Sequence, residues 1–330
     1  ATDPAAAALP PTAKRSFKPL LIALIAILIV GVGSAAAYVG VVIPNKPANV
    51  LRTAFLNTIQ EKQVSTTGTV DAGGFKATFS TAANTTAKAI DAKVNLTISG
   101  VTFPVEGRLI GHNFYFKVGD LTTIANLLSA YSPNASSIAQ TLNTQVANKW
   151  IVVDSTIIDQ EAPLKCALDI NWGLTSADIQ LLGNQYGQHP FSSIQSTSTD
   201  QVNGKAAEKF ALSISNAELN SFGNGAINIS IVKNLEKCSS DFKSGVTPSN
   251  DKRHTPLTVW VDKGSKRIVQ VAFQDGSTGS ATVKLSYTPV SITAPSNPEP
   301  VLQLISTLES ASGGSTDLSQ LFGGSTGATN

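Results

Sequence analysis

Residues Ala92–Ser99 read Ala-Lys-Val-Asn-Leu-Thr-Ile-Ser, an unbroken alternation of apolar and polar side chains. In a strand, successive side chains point to opposite faces. Val94, Leu96 and Ile98 therefore share one face, and Lys93, Asn95, Thr97 and Ser99 share the other. A strand with one apolar and one wet face is the habit of antiparallel sheets. The segments on either side behave alike. Thr67–Asp71, Phe75–Ser80, Ala87–Ser99, Val101–Ile110 and Asn113–Val118 alternate or are β-branched, and Gly73-Gly74, Asn84, Gly100 and Gly111 separate them. No helical period interrupts this run, which argues against a parallel βαβ arrangement.

Upstream, Leu51, Phe55 and Ile59 recur at four-residue steps, predicting an amphipathic helix from a cap at Asn49 to about Lys62. Downstream, Leu121–Tyr131 and about Ser136–Ala147 read as helices joined at Pro133, with a strand at Lys149–Asp154. Ser176 is placed as the cap of a short helix through Ile179, Leu181 and Leu182. Asn203-Gly204 is a hairpin signal between strands near Ser193–Thr199 and Ala206–Ser213. Asn216 is placed as a further cap, and residues 227–242 fit either a helix or a strand. Leu257, Val259 and Val261 share one face while Thr258, Trp260 and Asp262 take the other. A turn at Lys263-Gly-Ser-Lys returns the chain through Val269, Val271 and Phe273. Thr282–Thr288 alternates again. Pro295, Pro298 and Pro300 are expected to end the sheet before a last helix reaching about Leu308.

The amino end carries a different signal. Leu20–Ile43 has no charged residue. About 24 residues at ~1.5 Å each span a hydrocarbon core of ~30 Å. Lys14, Arg15 and Lys18 precede the run and read as the cytoplasmic side. The expected organisation is a cytoplasmic tail at 1–19, a transmembrane anchor at 20–43, a short linker at 44–47 and an extracytoplasmic α+β domain at 48–294. A terminal helix or linker at 295–310 and a disordered Ser/Gly/Thr tail at 311–330 follow. The competing reading is a signal peptide cleaved near Ala37, which would leave the rest secreted.

Composition narrows the function. The chain has 330 residues, 42% of them hydrophobic and 14% charged, with a formal net charge of +2. A charged fraction well below the usual ~25% argues against a charge-rich cytosolic enzyme. Once the basic tail is set aside, acids and bases balance, so nothing draws the exported part to nucleic acid. His112, His189 and His254 are scattered, and no His-Glu-x-x-His or Gly-x-Ser-x-Gly occurs. Ser240–Lys243 and Ser249–Lys252 match Ser-x-x-Lys but lack the companion motifs. Gly31-Val-Gly33-Ser-Ala-Ala36 imitates a dinucleotide loop but lies inside the apolar span. No P-loop or calcium loop is found. The expectation is a protein without cofactor, metal or catalysis. Cys166 and Cys238 are the only cysteines; an even pair in an exported domain suggests a disulfide, and two free buried thiols are the alternative.

The aromatics on strands include Phe79, Phe103, Phe114, Phe116, Trp260 and Phe273. They read as ordinary core or as the lining of an apolar cavity between sheet and helices.

Four stretches also resemble a known group, one of them Lys149-Trp-Ile-Val-Val-Asp. Ser65-Thr-Thr-Gly-Thr-Val follows the first helix. Asp200-Gln-Val-Asn-Gly-Lys-Ala-Ala-Glu-Lys-Phe-Ala-Leu and Val259-Trp-Val-Asp-Lys-Gly-Ser-Lys-Arg-Ile-Val-Gln-Val come later. Their order is similar to that in the LolA-like superfamily of exported proteins, especially its mycobacterial lipoprotein branch. The resemblance implies a half-barrel, a strongly bent antiparallel sheet wrapped over helices around a hydrophobic cavity. It implies lipid or acyl-chain binding without catalysis. The chain departs from the lipoprotein pattern, because no Cys stands directly after the apolar span to carry a lipid, so the span itself would be the anchor. The expected partners are the membrane and a lipid. The alternatives are an envelope-sensing or protein-interaction module without ligand, and a wall or glycan hydrolase with paired carboxylates.

Overall fold

The computed structural model describes residues 47–72, 74–98, 100–120, 122, 143–238, 253–275, 279–304 and 306. The expected anchor, the helices expected between 121 and 142, and the C-terminal tail lie outside the described residues. So do Lys14, Arg15 and Lys18. Among the described residues no helix is long and apolar enough to cross a membrane.

The first described element is α1 (Pro47–Ile59). Five strands follow it: β1 (Gln63–Ala72), β2 (Phe75–Asn84), β3 (Ala89–Ile98), β4 (Val101–Ile110) and β5 (Asn113–Val118). A short β6 (Ile151–Val153) leads into α2 (Ser155–Ile158), α3 (Ala162–Asp169) and α4 (Ser176–Gln188). The hairpin β7 (Ser192–Val202) and β8 (Lys205–Ser215) comes next, then α5 (Asn216–Ala226) and α6 (Ser230–Cys238). The last strands are β9 (His254–Asp262), β10 (Ile268–Asp275), β11 (Gly279–Ser286) and β12 (Glu299–Pro300). All twelve strands form one sheet in the order β12-β6-β5-β4-β3-β2-β1-β11-β10-β9-β8-β7. The class is α+β, with a large antiparallel sheet and helices.

Several sequence expectations change in detail. Residues 230–238 are helical, which decides the ambiguous stretch. Pro300 does not end the sheet. Glu299 and Pro300 pair parallel with Ile151 and Val152 at its border, where a residue without an N–H is tolerated. Two helix caps lie one residue earlier than expected. Thr175, not Ser176, caps α4 in a capping box with Asp178, and Ser215, not Asn216, caps α5 by accepting from Glu218 N. In both cases an acid three residues on selects the hydroxyl. The helix α1 starts at Pro47, before Asn49. The β7–β8 turn is as expected, with Asn203 and Gly204 at φ 53° and 76°, the left-handed pair that a two-residue hairpin requires.

Directly paired residues share a sheet face. Register therefore links Phe210, Val259, Val271, Val283, Gly68, Phe79, Val94, Val105 and Val118 in one line from β8 to β5. The adjacent line on that face reads Leu212, Leu257, Phe273, Ala281, Val70, Ala77, Leu96 and Phe103. The opposite face reads Ser198, Lys209, Trp260, Gln270, Lys284, Thr67, Ser80, Lys93, Glu106 and Lys117. One face is apolar across the molecule; the other is mainly polar, with a small buried cluster around Ala207 and Trp260.

Helix α1 covers one half of the apolar face. Leu51 and Ala54 pack on Phe210, Leu212, Ile214, Val259 and Val261. Its other side, with Phe55, Leu56 and Ile59, packs under Leu182, Leu181 and Phe222 of α4 and α5. Polar contacts fasten the helix end to β10. Ile268 N donates to Thr58 Oγ1 at 2.9 Å, Asn57 Nδ2 donates to Lys266 O at 3.0 Å, and Arg267 pairs with Glu61. Tyr287 donates to Ile268 O, and burial pushes its hydroxyl pKa up to about 12.

Candidate functional site

Burial divides the apolar face in two. Under α1, Phe210 and Val261 are 0% exposed and Val259 4%. Across β3–β5, Val94, Leu96, Phe103, Val105, Leu109 and Phe116 are only half-buried. Phe114 is 41% exposed. Leaving so much contiguous apolar surface partly in contact with water costs free energy, at about 25 cal/mol per Å². A half-covered apolar face of this kind is the commonest sign of a binding surface.

The side chains there leave room. Phe114 and Phe116 stack with ring centroids 6.1 Å apart and 23° between planes. Gly107 lies opposite Phe116, and a Cβ placed on it would meet nothing nearer than the Phe114 ring at 3.8 Å. By contrast, Phe79 is buried and its ring lies on Gly68, where a Cβ would not fit.

Of the six aromatics singled out from sequence, the register puts Phe79, Phe103, Phe114, Phe116 and Phe273 on the apolar face. Trp260 is separated from them. It lies on the polar face, where its Nε1 donates to Asp200 Oδ2 at 2.9 Å and Lys209 Nζ sits 5.3 Å from its ring. The Trp260 bond, with a backbone bond from Gln201, holds the Asp200 carboxyl below the usual carboxylate range.

The polar face is a ladder of paired charges. Lys93 and Lys117 bracket Glu106 at 3.3 and 2.8 Å, and Arg108 meets Asp91 at 3.2 Å. Burial pushes the Glu106 carboxyl up, but the bonds from Lys117 and Lys93 outweigh it and leave it lowered. Arg108 and Lys117 also approach the Trp150 ring, at 4.8 and 5.5 Å. The sequence places Trp150 on a strand but not beside Arg108 and Lys117, because that contact depends on register.

Among the described residues no group of three or more His, Cys, Asp or Glu is arranged to hold a metal ion. The three histidines are apart: His112 contacts Asp159 and Asp169, His189 contacts Glu218, and His254 contacts Ser213. Cys166 and Cys238 form a disulfide that joins α3 to α6. A shallow cavity of about 480 Å³ lies beside it, lined by Asp159, Ala162, Lys165, Cys166, Asp169 and Ile170.

No family model matches this chain. No curated protein matches it either. Among solved structures it is similar to the crystal structure of the Mycobacterium tuberculosis lipoprotein LppX, with 16% identity, 75% of this chain and 100% of that chain covered, and a TM-score of 0.34.

Proposed function

We propose that this protein is an anchored extracytoplasmic binding protein that holds a lipid alkyl chain against the uncovered half of its apolar sheet face, without catalysis. The observation that carries the reading is the contrast within one continuous face. Val261 and Phe210 are sealed by α1, while Phe114, on the same face, is 41% exposed. The binding residues are Phe103, Phe114 and Phe116 of β4 and β5; Phe79, buried on Gly68, and Phe273, beside Leu257 in the α1-covered half, serve as core. An alkyl chain suits this surface, because its lining offers area and no charge. The disulfide agrees with an oxidising compartment. The uncharged run Leu20–Ile43 behind Lys14, Arg15 and Lys18 supports an anchor with the amino end inside. In this reading 1–19 is the cytoplasmic tail, 48–294 the binding domain, 295–310 its terminal linker and 311–330 an unstructured tail. We read the large sheet as bent toward the helices in the manner of a half-barrel.

Binding of a fluorescent long-chain acyl probe to the full chain tests this. Phe114→Glu puts a charge on the open half and should weaken binding by about tenfold or more, while unfolding stability stays within about 1 kcal/mol. Unchanged affinity in a folded Phe114→Glu protein would remove the site from this face.

A second reading is a protein-interaction module. The observation favouring it is β7, an outer strand eleven residues long with Gln195–Thr199 exposed throughout. Such an edge is a template for pairing with another chain.

A further inference from the structure

The helices are fastened to the open end of the sheet by a small set of ionic contacts. The β2–β3 and β4–β5 turns emerge side by side, and Gly111 N donates to Lys88 O at 3.2 Å between them. Lys88 Nζ donates to the carbonyls of Leu168 and Asp169, at 2.7 and 2.9 Å, and so closes the C-terminus of α3. His112, in the second turn, stands between two carboxylates. Its Nδ1 is 2.6 Å from Asp159 Oδ1 and its Nε2 is 3.1 Å from Asp169 Oδ1. Asp159 caps the end of α2, and Asp169 ends α3. Phe114, the most exposed of the described aromatics on the apolar face, lies two residues on, in β5.

We propose that His112 is a proton-dependent latch that holds α3, and through the disulfide α6, at the open end of the apolar face. The geometry itself requires the proton. A neutral imidazole has one N–H and one lone pair, so it can donate to only one of the two carboxylates and turns a lone pair toward the other. Both contacts are hydrogen bonds only when the ring is imidazolium. The closed arrangement therefore holds one proton more than an open arrangement with a neutral ring. Closure is favoured while the ring holds its second proton and weakens once a rise in pH removes that proton.

The other charged groups facing the ring from the packed elements are Lys165 of α3, 3.2 Å from Asp169, and Lys88 from the neighbouring turn. Lys165 is the largest cause holding the Asp169 carboxyl below the usual range, with His112 adding to it against the opposing effect of burial. Asp169 thus stays ionised in mild acid, and the latch fails from that side only when the carboxylates themselves take up protons.

The latch rests on the acyl-binding reading for what it uncovers, but its test contains no ligand. Hydrogen–deuterium exchange of α3 is measured on the full chain at about pH 5.5 and about pH 8, corrected for the chemical exchange rate. The expected result is a fall in α3 protection of about tenfold at the higher pH, the size of one lost charge-assisted hydrogen bond. His112→Gln, which keeps bulk and polarity but cannot take up a proton or carry a positive charge, should show the low protection at both values. Strands β8 and β9 should be unchanged in either protein and report that the core is folded. Protection of α3 that ignores pH in the wild type, or a His112→Gln protein with the wild-type pH response, would overturn the latch. Acyl-probe binding that survives such a result leaves the binding reading standing and removes the latch alone.

Discussion

Gly68 and Gly107 occupy the same apolar face and predict opposite outcomes. A Cβ on Gly68 would strike the Phe79 ring and come within 2.6 Å of the Thr282 carbonyl oxygen. That oxygen belongs to a paired strand and cannot move aside. Gly68→Ala should cost about 2 kcal/mol in equilibrium unfolding by denaturant. Gly107→Ala places its methyl at ordinary contact distance from the Phe114 ring, 3.8 Å, and should change stability by no more than about 0.5 kcal/mol. Equal effects from the two would contradict the described packing. At this scale the sequence carries faces but not neighbours. The alternation Leu257–Asp262 already sets Trp260 opposite Val259. Grouping it with the phenylalanines rested on residue type, which has no face. That Phe79, Phe103 and Phe116 share a face emerges only when three separate registers are combined.

At the scale of elements, Asp178 joins two helices. It accepts from Thr175 N and Oγ1 at the start of α4, and from Ser230 N and Oγ at the start of α6. It is only 4% exposed. Burial pushes its carboxyl up, but the Ser230 and Thr175 bonds outweigh burial and hold it below the usual range. The native value is therefore depressed relative to the unfolded chain. The stabilisation is complete above the unfolded value of ~3.9 and is lost as pH falls through the native one. Asp178→Ala removes the acceptor from four part-buried donors and should cost about 2 kcal/mol at neutral pH, with the gap to wild type narrowing in strong acid. Urea unfolding at a series of pH values reads both. A gap that widens on acidification would reverse the sign. The helix carrying Asp178 was legible from its apolar spacing. The short α2 and α3 were not, because eight residues or fewer carry too little periodicity. Nor were the contacts of His112 and Lys88, which join residues 47 and 80 positions apart.

At the scale of the whole molecule, the hairpins β1–β5, β7–β8 and β9–β11 follow from turn residues and alternation. What local signals do not contain is the pairing of β1 with β11, which joins the early and late strands into one sheet. Without it the two apolar halves would be separate surfaces. With it, α1 covers one end of a continuous face and the other end stays partly open. The unexplained apolar area, and the binding function drawn from it, are consequences of that single pairing. The most direct measurement is photo-crosslinking of the full chain in its own membrane with a diazirine-bearing fatty acyl lipid, mapped by peptide mass spectrometry. The account predicts adducts on Phe103, Phe114, Phe116 and their apolar-face neighbours in β3–β5, with the polar-face residues Lys93, Glu106 and Lys117 unlabelled. Adducts confined to Leu20–Ile43, or spread equally over both faces of those strands, would contradict it.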